Sequence, residues 1–64
     1  MSIELAIEAA FNNHITGLYD RLSQAILSAD GDEAEMAAAE DRFASGLAHE
    51  TTVKERAKRV AGIS

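Results

Sequence analysis

"SADGDEAEM", residues 28 to 36, is the one place in this 64-residue chain where an apolar pattern stops, turns and starts again. Glycine at 31 suits a left-handed turn after a helix, because it has no Cβ to clash there. Asp32 followed three residues later by Glu35 is an Asp version of the capping box, which marks a helix start. Glu33 and Glu35 also place negative charge at the positive end of the new helix's dipole. The stretch therefore reads as a bend over 29 to 32 between two helices. A calcium loop fails on the same residues. Asp30, Asp32 and Asp41 fall at the first, third and twelfth positions of an EF-hand, but Glu35 stands where the sharp turn needs glycine. The twelfth position is an Asp instead of a bidentate Glu.

Upstream of the bend, Ile3, Ile7, Phe11, Ile15, Leu18, Leu22, Ile26 and Ala29 recur at steps of three and four, one stripe of a 3.6-residue period. Ser2 can cap this helix, and Glu4 and Glu8 lie near its positive end. The spacing predicts a helix over about 3 to 28. Gly17 interrupts it at a cost of about 1 kcal/mol relative to alanine, which points to close approach by another backbone. Leu5, Ala6, Ala10, Ala25 and Tyr19 widen the apolar face beyond what one hairpin partner covers.

Downstream, Met36, Ala39, Phe43, Gly46 or Leu47, Glu50, Val53, Ala57 and Val60 form a heptad-like row with one acidic defect at Glu50. Small residues here match the bulky face of the first helix, large against small. Either one helix runs from 33 to about 61, or it ends near 49 and a short basic helix spans 53 to 61. The second alternative is favoured by the β-branched pair Thr51-Thr52 and by Thr52 with Glu55, another capping box. Gly62 ends the last helix.

A single domain of this length buries only about 60% of the surface of its unfolded chain, and with no cysteine it has neither disulfide nor thiolate metal site to compensate. Oligomerisation is the remaining device. With three aromatic residues, no proline and abundant alanine, the class is all-α. The helical hairpin is expected to pair with a second copy in a homodimeric four-helix bundle with Ile7, Phe11, Ile15, Leu18, Leu22, Ile26, Met36, Phe43 and Leu47 in its core. The start "MSIELAIEAAF" has no basic n-region and no unbroken apolar run, so a cytoplasmic protein with no membrane contact is expected.

The net charge of −5 is unevenly spread. Asp30 to Asp41 holds six acids and no base, while Lys54, Arg56, Lys58 and Arg59 are four of the six basic residues. The basic tail could meet phosphates or an acidic groove. The acidic bend, Asp30, Asp32, Glu33 and Glu35, could mimic phosphates and occupy a basic groove, as a phage or mobile-element inhibitor of a nucleic-acid-handling enzyme would. Both clusters also have plain roles as solvated helix ends that complement the dipoles.

Catalytic and cofactor signatures are lacking. His49-Glu50 opens like a zinc-protease helix, but the residue four after His49 is Val53; His14 has no ligand partner one turn away. There is no nucleophile elbow and no phosphate-binding glycine loop. The expectation is a non-enzymatic adaptor or regulator without cofactor, with another protein as partner and nucleic acid as the alternative partner. Two helices of this length joined by a short Ala-Asp-containing bend resemble the layout of the Rop family of plasmid copy-control proteins. That resemblance implies an antiparallel dimeric bundle and RNA binding through basic and polar residues of the first helices. Arg21 is the sole cation in that helix here.

Overall fold

The structure, a computed structural model, describes residues 2 to 63. They form two antiparallel α-helices, α1 (Ile3–Ala29) and α2 (Glu33–Val60). Ser2, in extended conformation, caps α1 by accepting a hydrogen bond from the Leu5 N–H at 3.3 Å. The helix runs one residue further than its periodicity suggests, and the turn involves two left-handed residues, Asp30 (φ 50°) and Gly31 (φ 86°). Asp is among the few residues that enter this region at modest cost. The Asp32 N–H then donates to the Ala29 carbonyl, and Asp32 Oδ1 accepts from the Glu35 N–H at 3.1 Å to start α2. With the Asp32 N–H already used by the backbone, the capping box is made in one direction only.

The break expected near Glu50 to Thr52, with a separate helix over 53 to 61, does not form: α2 is one helix of 28 residues. Thr51 donates its hydroxyl to the Leu47 carbonyl one turn back at 2.9 Å, a bond that is compatible with continued helix. Glu50, the acidic defect, finds His14 across the seam, with Nδ1 2.9 Å from Oε1. The helix stops at a Schellman motif. Gly62 (φ 78°) donates to the Arg59 carbonyl and Ile63 to the Lys58 carbonyl, at 3.1 and 2.8 Å.

Along the seam the helices mirror each other about the bend, so that Leu18 meets Gly46, His14 meets Glu50, and Glu8 meets Lys54 and Lys58. Close approach occurs at Gly46, where an added Cβ would lie 2.5 Å from Leu18 Cδ2. It does not occur at Gly17, where an added Cβ would meet only the Arg21 guanidinium, at 3.8 Å.

This closeness is bought with small side chains, and little is buried. Only Ala29 and Ala39 are buried among the described residues, and no large side chain is fully enclosed. Ile7, Phe11, Ile15, Leu18, Leu22, Ile26, Met36, Phe43 and Leu47 all lie half-buried along the seam. The hairpin is a rod of 46 × 18 × 10 Å, with a radius of gyration of 14.8 Å against about 11 Å for a compact chain of this length.

Candidate functional site

Two long sides of the rod remain open, one to each side of the seam. On a helix each residue advances about 100°, which sorts the apolar positions. Ile15, Tyr19 and Ile26 of α1, with Met36 and Leu47 of α2, fall on one side and make a bulky ridge. The other side is a groove. It is lined near the bend by Ala25, Ser28 and Ala38, in the middle by Leu18, Arg21, Arg42 and Phe43, and toward the helix ends by Ile7, Val53 and Ala57. Ile3, Arg56 and Val60 line its open mouth, where Ile3 is 63% and Val60 90% exposed.

The charges divide along the rod. The half nearer the bend, residues 17 to 46, holds seven carboxylates against Arg21 and Arg42, a balance of −5; the remaining residues hold four acids and four bases. In the second half Glu8 gathers two cations, with Lys58 Nζ at 2.7 Å and Lys54 Nζ at 3.4 Å. Lys54 also stands 4.3 Å from the centre of the Phe11 ring, a cation–π contact. The hydrogen bond from Lys58, supported by the charges of both lysines and opposed by partial desolvation, holds the Glu8 carboxyl below its ordinary 4.5. The same bond holds the Lys58 ammonium above 10.5.

This network splits the basic tail. Lys54 and Lys58 turn inward against α1, while Arg56 and Arg59 are exposed and have no ion-pair partner among the described residues. In the acidic bend Asp30, Asp32, Glu33 and Glu35 are all exposed, with Asp32 engaged as the α2 cap. Among the described residues no group of three His, Asp or Glu side chains is placed to hold a metal ion, and no helix is long and apolar enough to cross a membrane.

Reading each helix separately overlooked the Glu8 ion pairs and the grouping of Arg56 with Arg21 and Arg42. Glu8 was legible from the mirror relation: with the bend near residue 31, position 8 falls opposite 54 to 58. The grouping of Arg21, Arg42 and Arg56 needs the relative rotation of the two helices, which neither periodicity contains alone. Comparison with known proteins finds no matching family model, curated protein or solved structure.

Proposed function

We propose that this chain is a non-enzymatic helical hairpin that acts through helix–helix contact. Its ridge packs on a second copy to form a homodimeric four-helix bundle, the scaffold of a small adaptor or regulator. The supporting observation is area. The chain exposes 4818 Å², whereas a compact monomer of 6.8 kDa exposes about 3,950 Å². The excess, roughly 860 Å², is close to the roughly 800 Å² that each partner loses in a standard interface.

Charge favours an antiparallel pair. Side by side in parallel, two bend halves of −5 would face each other; antiparallel, each faces a neutral half that carries all four tail cations. Helices of nearly equal length also set the register. With full overlap, the axial level of Glu40 in one copy falls opposite that of Lys54 in the other. The basic tail supports a nucleic-acid interface less well, because Glu8 engages two of its four cations.

Sedimentation equilibrium tests the reading. The expected species is twice the chain mass, and Ile15→Asp with Leu47→Asp shifts it toward monomer with loss of helical circular dichroism. A well-folded monomer at tens of micromolar would refute it.

A further inference from the structure

The ridge leaves the groove free, and the groove has its own chemistry. This acidic protein has four arginines, and three of them, Arg21, Arg42 and Arg56, line the groove. None of the three forms an ion pair among the described residues. Arg21 and Arg42 stand at the same axial level on opposite walls, and Arg56 lies about 20 Å further along at 1.5 Å per residue. The Arg21 Nε–H donates to the Gly17 carbonyl at 3.4 Å, so the guanidinium lies back along α1. The floor between the arginine pair and Arg56 is apolar, with Leu18, Phe43, Phe11 and Val53, while Ala25 and Ala39 lie toward the bend and Ala57 at the level of Arg56. Of the two carboxylates along it, Glu50 is engaged by His14, and Glu35 sits at the bend end.

We propose that this groove binds an acidic amphipathic helix of another protein, its apolar seam on the apolar floor and its flanking carboxylates on the three arginines. A helix with Asp or Glu beside its apolar stripe matches both the floor and the rim. Carboxylates at one level would engage Arg21 and Arg42 together, and another about two heptads along would reach Arg56. A phosphate backbone gains nothing from an apolar floor of leucine, phenylalanine and valine. The site does not depend on the ridge-side dimer, which covers the opposite side.

The test uses the full chain and a fluorescent synthetic helix of about four heptads, with Leu and Ala at a and d and Glu at e and g. An otherwise identical peptide carries Lys at e and g. Anisotropy titrations should show the Glu peptide bound at least tenfold more tightly, with affinity falling as salt rises. Arg21→Glu with Arg42→Glu should reverse the preference, and sedimentation should still show the same oligomer. If the charge-reversed chain loses its helical circular dichroism, Arg21→Gln with Arg42→Gln should instead abolish the preference. Equal binding of the two peptides, or indifference to the arginine changes, overturns the proposal. So does displacement of the Glu peptide by a DNA duplex with the same arginine dependence, which would make the groove a nucleic-acid site. Loss of peptide binding on dimer formation would also overturn it, by making the groove the dimer face.

Discussion

The two glycines inside the helices should respond in opposite directions to the same substitution. Replacing an interior helical glycine by alanine gains about 1 kcal/mol from restricting the unfolded backbone. At position 17 nothing opposes that gain, since the new Cβ meets one guanidinium nitrogen at ordinary contact distance, 3.8 Å. Gly17→Ala should therefore stabilise by roughly 0.5–1 kcal/mol, or about 4–8 °C per kcal/mol in a domain of this size. At position 46 the new Cβ would stand 2.5, 3.1 and 3.4 Å from Leu18 Cδ2, Cδ1 and Cγ. Rotating the isobutyl group exchanges one methyl for the other, and swinging it out of the seam forfeits its packing. Overpacking of this kind costs about 1–3 kcal/mol, so the propensity gain is cancelled or exceeded and Gly46→Ala should lie between neutral and about 2 kcal/mol destabilising.

Leu18→Ala removes all three clashing atoms. In that background Gly46→Ala should regain its favourable sign, giving a coupling of about 1–3 kcal/mol between the two positions. Urea denaturation followed by circular dichroism measures all four variants, at one fixed chain concentration so that any contribution of association is held constant. If Gly46→Ala stabilises as much as Gly17→Ala, or if the coupling falls within about 0.5 kcal/mol of zero, the helices do not touch at Leu18 and the seam described above is wrong.

Asp32→Ala should cost about 1 kcal/mol, because the Glu35 N–H loses its acceptor, and Asp32→Asn should restore most of that loss. Equal melting of the Ala and Asn variants would show that the cap is not made. For pH, Glu8 is held below 4.5 in the folded chain, so its contribution is complete above that value and is lost as pH falls through the lowered one. Lys58 is held above 10.5, so its share is complete below 10.5 and is lost as pH rises through the raised value. Glu8→Gln should therefore flatten both limbs of the stability profile relative to the parent chain, and superimposable profiles would count against the Glu8 network.

What was legible in the sequence is the part governed by neighbours in the chain. Ser2, Asp32 and Gly62 act as the termini their types suggest, and the steps of three and four place the seam. Glu50 to Thr52 misled for a physical reason. Thr is a weak helix former because its hydroxyl competes for backbone groups, yet in α2 the Thr51 hydroxyl bonds the Leu47 carbonyl without unwinding it. A charge in an apolar row likewise looks like a stop until its partner is known, and His14 is 36 positions away in sequence. The first error overrated a propensity that a bond one turn back satisfies, and the second a charge whose partner lies across the seam. The groove was illegible for a related reason: Arg21, Arg42 and Arg56 come together only through the rotation of one helix against the other.

The alanines of α2 connect the fold to its use. Small side chains let the two axes approach, but each removes little apolar area from water, and at about 25 cal/mol per Å² area is what stabilises a helical pair. A chain built for close approach therefore leaves its large residues, Ile15, Ile26, Met36 and Leu47, only half covered. Covering them requires helices from outside the hairpin. In the dimer proposed above, folding and association become one equilibrium, in which a partner at one hundred times its dissociation constant adds about 2.7 kcal/mol to stability. That is a large share for a domain of this size, whose total stability lies near the low end of about 5–15 kcal/mol. The same sparse interior makes the folded population sensitive to any partner that covers the open sides, and those sides present different chemistry, bulky on the ridge and arginine-rimmed in the groove.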